Sequence, residues 1–100
     1  MTGGDFLAGG IPEKTIDMVR SNADILDVVG NFVQMRHAGK NWVGLCPFHA
    51  EKTPSFSIND QKQFFYCFSC GRGGNVFKFI MELEDLNFIE AVYRVAELEN

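Results

Sequence analysis

The spacing of apolar positions changes twice along this chain. At both ends apolar residues recur every three or four positions, as on one face of a helix; in the middle they alternate, as on one face of a strand. Ile11-Pro12 opens a first helix, with proline in its favoured first turn and Glu13 beside it at the positive end of the helix dipole. Ile16 and Val19, joined by Met18, supply its inward face. Ser21-Asn22 is expected to break this helix and to cap the next. The second helix carries Ile25, Leu26, Val28 and Val29, with Gly30 as its C′ residue. The period then shortens. Residues 32–36 and 41–45 flank His37-Ala38-Gly39-Lys40, a hairpin signal with glycine in the turn, where His37 is expected to be solvated. Ser55–Ile58 alternates, Asn59-Asp60-Gln61 turns the chain, and Lys62–Cys67 returns. Asn75 is a suitable N-cap for a helix through Val76, Phe77, Ile80, Met81 and Leu83. Asn87–Glu90 has the form of a capping box, with asparagine in the capping position, and opens a last helix with Ala91, Val92, Val95 and Leu98. The predicted class is α+β, a small antiparallel sheet of four to five strands flanked by N-terminal and C-terminal helices. Residues 1–10 hold four glycines and no period; they read as a flexible leader, which leaves 11–100 as one domain.

Two ligand-type pairs interrupt the strand pattern. Cys46-Pro47-Phe48-His49 is followed, after 17 residues, by Cys67-Phe68-Ser69-Cys70. Each pair can form a tight knuckle, and the insert is long enough for a hairpin that brings the knuckles together. Three thiolates and one imidazole complete a tetrahedron around one Zn2+ and leave no open position, so the ion is expected to be structural. The competing reading is a redox C-x-x-C pair. Such a pair usually opens a helix, where the dipole lowers the thiol pKa, but here Gly71-Arg72-Gly73-Gly74 intervenes. Phe48, Phe56 and Phe68 are expected to pack around the site.

Composition narrows the class further. One hundred residues make a small domain, and small domains commonly need a staple such as a metal. Three cysteines, all inside the motif, do not make a disulfide framework and fit a reducing compartment. No signal peptide and no membrane-spanning run is visible, so a cytoplasmic location is expected. The net charge of −4 is unevenly spread. Residues 36–78 carry six basic against two acidic side chains, a net +4, while the remaining residues carry three basic against eleven acidic, a net −8. Bound zinc with three thiolates would subtract about one charge from that basic island without cancelling it. A basic island between acidic helices points to a polyanion partner.

The string GLCPFHAEKTPSFSI at 44–58, then FYCFSCG at 65–71 with Gly74-Asn75 and Phe79, resembles the N-terminal zinc-binding domain of bacterial DnaG-type DNA primases. Ile11-Pro12-Glu13 and Asp24-Ile25 agree with that family's opening helices, so the resemblance covers about residues 11–98. Ser69 stands where many members have glycine. The resemblance implies a zinc ribbon attached to an enzyme that makes RNA primers on single-stranded DNA during replication. The domain would help recognise the template initiation site and modulate primer start and length. Polymerisation belongs to a separate carboxylate- and metal-dependent domain, reached in cis or in trans, and a third domain binds the replicative helicase. This chain is therefore expected to be a module without catalytic residues. Glu82, Glu84 and Asp85 read as a solvated acidic helix end.

Single-stranded DNA is held by basic grooves lined with aromatic platforms. Strand parity places Lys62, Phe64 and Tyr66 on one face and Gln63, Phe65 and Cys67 on the other. With the ligand face inward, Lys62 and Tyr66 are exposed together. Lys40 shares a face with Trp42, but Trp42 also has the parity of Cys46, which leaves it open between exposure and core. Arg36, Lys40, Lys52, Lys62, Tyr66 and Arg72 are the candidate DNA contacts. The bland reading of each basic residue is a solvated side chain. Two further functions remain in view. One is a protein-interaction ribbon whose acidic helices dock on the primase core or a neighbouring primase. The other is a thiol redox switch.

Overall fold

A computed structural model describes residues 10–99. The leader expected at 1–10 lies, apart from Gly10, outside the described residues. Helix α1 spans Glu13–Asn22 and α2 spans Ile25–Gly30. The strands are β1 (Arg36–Ala38), β2 (Asn41–Gly44), β3 (Phe56–Asn59), β4 (Phe64–Cys67) and β5 (Gly73–Gly74). Helices α3 (Val76–Glu84) and α4 (Phe88–Leu98) close the chain. The five strands pair in chain order, every neighbour antiparallel. The α+β expectation holds, with β5 as the fifth strand. No helix among the described residues is long and apolar enough to cross a membrane.

Register divides the sheet into two unlike faces. Trp42 and Gly44 lie opposite Ile58 and Phe56, which lie opposite Phe65 and Cys67. Directly opposed residues share a face, so this set points one way. Phe56, Ile58, Phe65 and Cys67 are fully buried against α2, α3 and α4, and Trp42 packs at the margin of that core. Four phenylalanines form its centre. Phe79 of α3 meets Phe65 at 5.5 Å, Phe48 at 5.7 Å and Phe56 at 5.9 Å between ring centroids. The other face presents Arg36, Val43, Ser57 and Tyr66 in one row across four strands.

Several element ends differ from expectation. Pro12 precedes the first helix as its cap and has no capping side chain. The helix runs through Ser21-Asn22, and Asp24 caps α2 by accepting from the Leu26 N–H at 3.0 Å. Asp24 wins because its own N–H is held by the Glu99 carboxylate at 2.7 Å, which fixes the junction to the end of α4. Gly30 is the last helical residue and not a left-handed C′; Asn31 caps the helix instead. The first hairpin is shorter than predicted, because the Val29 carbonyl accepts from both Phe32 and Val33 and keeps 32–33 wound onto α2. Residues 34–35 then cross over Gly44, where an added Cβ would lie 2.8 Å from the Gln34 carbonyl oxygen. His37 consequently sits in β1, exposed and stacked on Trp42 at 4.7 Å, and the turn is Gly39-Lys40 alone, with Gly39 at φ 66°. Ser55 and Lys62-Gln63 lie outside β3 and β4. Gln63 turns inward and accepts from the Ile25 N–H at 2.8 Å, tying the β3–β4 turn to α2. The acidic helix end is paired and not merely solvated: Glu82 meets Arg72 and Lys78, and Glu84 meets Arg94. Phe68 does not pack around the metal site. It is 73% exposed and lies edge-on to Tyr66, because the knuckle turn carries it past the end of β4 onto the outer side.

Candidate metal centre

Strands β2 and β4 flank β3 and both end at the same edge of the sheet. Cys46 follows β2 by two residues, and Cys67 is the last residue of β4. Each knuckle is shaped by backbone hydrogen bonds. The Phe48 N–H donates to Cys46 Sγ at 3.4 Å. In the second knuckle the Gly71 N–H donates to the Cys67 carbonyl at 2.8 Å, and the Cys67 N–H donates to the Arg72 carbonyl at 2.9 Å. Gly71 sits at φ 80°, a conformation that favours glycine.

The donor atoms of Cys46, His49, Cys67 and Cys70 all lie within 4.8 Å of one another. Cys46 Sγ is 4.0 Å from Cys70 Sγ, and Cys67 Sγ is 3.6 Å from His49 Nε2. A tetrahedral ion with Zn–S near 2.3 Å and Zn–N near 2.0 Å requires S···S edges of about 3.8 Å and S···N edges of about 3.5 Å. The four donors therefore fit one Zn2+ with little movement. His49 Nδ1 lies 3.2 Å from the Ala50 carbonyl and donates to it, which leaves the Nε2 lone pair for the metal. The set is closed and soft, a structural zinc site.

The surroundings divide the protons unequally. Burial pushes the Cys46 thiol up to about 12. Burial also raises Cys67, but hydrogen bonds from His49, from Ser55 and from the knuckle backbone outweigh it and bring the thiol to about 6. His49 is raised above its ordinary value, chiefly by its bond to Cys67. The Cys67 and His49 lone pairs thus face one another, and zinc takes both. Arg72 donates to Glu82 at 3.1 Å and lies 5.2 Å over the Phe48 ring. It places positive charge beside a centre whose net charge is about −1.

Glu51 carried no role in the sequence reading, yet its carboxylate joins both knuckles. Oε2 accepts from the Cys46 N–H at 2.8 Å and the Ser55 N–H at 3.3 Å. Oε1 accepts from Ser55 Oγ at 2.5 Å and Ser69 Oγ at 3.1 Å. The Ser55 hydroxyl, followed by the Cys46 N–H, holds the Glu51 carboxyl down at about 2. Its position between the two pairs was the only signal available.

The candidate DNA contacts fall in different places. Tyr66 and Arg36 share the outer sheet face. Lys40 and Lys62 lie in the two turns at the sheet end away from the metal, and Lys52 lies in the loop at the metal end. Among the described residues Arg36, Lys40, Lys52 and Lys62 make no ion pair, whereas Arg72 is paired with Glu82. Phe64 and Phe68, not among the predicted contacts, are 39% and 73% exposed on either side of Tyr66 at 40%.

The CHC2 zinc finger family matches residues 11–100. The chain is 57% identical over 90 residues to the DNA primase of Listeria monocytogenes, covering 90% of this chain and 14% of that protein. It is 55% identical over 86 residues to the DNA primase of Geobacillus stearothermophilus, covering 86% and 14%. Among solved structures, the zinc-binding and RNA polymerase domains of Aquifex aeolicus primase match with a TM-score of 0.78 and 40% identity, covering 83% of this chain and 21% of that one. The chain therefore spans only about one seventh of the primases it matches. With the ligand quartet assembled as that family requires, this chain belongs to the CHC2 zinc fingers, the N-terminal zinc-binding region of DnaG-type DNA primase.

Proposed function

We propose that this chain is the template-recognition module of a DNA primase: it binds single-stranded DNA on the outer sheet face and regulates where primers start and how long they grow. Polymerisation lies in a separate domain, and the chain alone makes no primers. What supports this reading most directly is the line of exposed aromatics, Phe64 and Tyr66 on β4 with Phe68 just past its end. Alternate residues on a strand are about 6.6 Å apart, roughly twice the 3.4 Å per nucleotide of stacked duplex, so the line suits bases that have left their stack. The four unpaired cations bracket it, Lys40 and Lys62 at one end, Arg36 and Lys52 toward the metal, in position for phosphates. Zinc holds β2 and β4 in register at one end and so shapes this face.

Anisotropy titration of a labelled single-stranded oligonucleotide at several salt concentrations tests the reading. Affinity should fall steeply with salt, and Lys62→Ala or Arg36→Ala should each reduce the salt slope by about one phosphate contact. Tyr66→Ala should weaken binding by about 1–3 kcal/mol. No binding, or binding indifferent to all three substitutions, would rule this face out.

A second reading, docking on the catalytic domain in cis or in trans, is favoured by a groove of about 250 Å³ between α1 and α4. Its lining includes Met18, Val19 and Ala96, with Met18 well exposed. Met18→Glu should then weaken association with the catalytic domain and leave oligonucleotide binding unchanged.

A further inference from the structure

We propose that Glu51 is the positioning residue of the zinc site: its carboxylate fixes the separation of the two knuckles in the folded site and so tunes metal affinity and exchange. Three stretches of chain converge on this one side chain. The Cys46 N–H begins the first knuckle, Ser55 ends the loop before β3, and Ser69 lies inside the second knuckle between two ligands. Ser69 Oγ also lies 2.6 Å from Ser55 Oγ, so the single Ser69 proton is shared between the Ser55 oxygen and the acid while the Ser55 proton goes to the acid. Ser55 Oγ in turn is 3.7 Å from Cys67 Sγ. The Phe68 N–H donates to the Ser55 carbonyl at 2.9 Å, but among the described residues no backbone hydrogen bond joins the first knuckle to the second, which leave the sheet from strands separated by β3.

Glu51 is close enough to invite a different reading, since its Oε1 is 3.7 Å from His49 Nε2. It is not a fifth ligand. Its lone pairs are already taken, on Oε2 by two backbone N–H groups and on Oε1 by the Ser55 hydroxyl and a shared Ser69 hydroxyl, and a zinc ligand needs a free lone pair. It acts through the ligands that it places. In so small a domain metal binding and folding are one equilibrium, so bonds that hold the two knuckles together in the zinc-bound fold raise the affinity for the ion. The side chain is largely covered, so water does not easily replace the acid.

Competition with a chromophoric chelator and the ligand-field spectrum of the Co2+-substituted protein test this directly. Glu51→Ala should lower zinc affinity about 10–100-fold, the usual cost of losing an outer partner of a metal site, and shift or broaden the Co2+ bands. Glu51→Gln keeps an oxygen for the two N–H donors while the hydroxyls can turn to its amide, and should recover most of the loss. Val92→Ala, in the core far from the site, controls for stability: it should lower the melting temperature and leave the Co2+ spectrum as in the parent. If Glu51→Ala does not fold, Ser69→Ala replaces it, with a smaller loss in the same direction. The proposal is overturned if the variant tested binds zinc as tightly as the parent with the same spectrum, or if Val92→Ala reproduces both changes.

Discussion

At the scale of single residues, proton placement around the zinc ligands gives a sharp expectation. Cys46 keeps its proton to about 12, so at neutral pH that proton must leave when zinc enters. Protons and metal compete, so affinity falls as pH falls, up to tenfold per unit for each proton displaced. Calorimetric zinc titrations in buffers of different ionisation enthalpy should show at least one proton released per ion at pH 7. Steric room gives another expectation. A Cβ on Gly73 would lie 2.9 Å from Tyr66 Cδ1 and 3.0 Å from the Phe65 carbonyl oxygen. Gly73→Ala should therefore cost about 1–3 kcal/mol and lower the melting temperature by roughly 4–8 °C per kcal/mol. The four metal ligands were legible in the sequence because knuckle chemistry is local: two donors, two spacers, a turn residue. Glu51 was not, because its bond to Ser69, 18 residues on, exists only once the second knuckle folds back against the first. Phe68 was misread as core because apolar character says nothing about which side of a turn it leaves from.

At the scale of elements, caps decide where helices start. Asn87 and Glu90 form the reciprocal box at the start of α4, with Asn87 Oδ1 accepting from the Glu90 N–H at 2.8 Å and Glu90 Oε1 accepting from the Asn87 N–H at 2.9 Å. Asn87→Ala should destabilise the protein by about 1 kcal/mol, seen as a lower midpoint in urea with an unchanged slope. Both C-terminal helix starts were legible for this reason, since Asn75 and Asn87 bond to their own first turns. The start of α2 was not. Ser21-Asn22 has the right chemistry, but Asp24 is fixed by Glu99 from the far end of the chain, and local sequence carries no trace of that contact. The two hairpins and the parity of β4 were legible, while strand ends were not: the Val29 carbonyl and the close pass at Gly44 trim the first hairpin through contacts outside it.

At the scale of the whole molecule, the metal site, the sheet and the charge pattern form one device. Zinc clamps the ends of β2 and β4; their register sets Arg36, Val43 and Tyr66 in one row; Glu82 draws Arg72 and Lys78 into internal pairs and leaves the remaining cations of the basic island facing outward. In a domain this small, structural zinc supplies folding free energy on the order of 10–16 kcal/mol, so a strong chelator should abolish the cooperative thermal transition and re-addition of zinc should restore it. An unchanged transition would show that the core alone suffices. The most direct test of template recognition is a two-dimensional 1H–15N NMR titration of the zinc-loaded protein with a short single-stranded DNA. Shifts should concentrate at Arg36, Val43, Lys62, Phe64, Tyr66 and Phe68, with Met18 and Tyr93 on the helices unmoved. Shifts centred on α1 and α4 with a silent sheet face would contradict it.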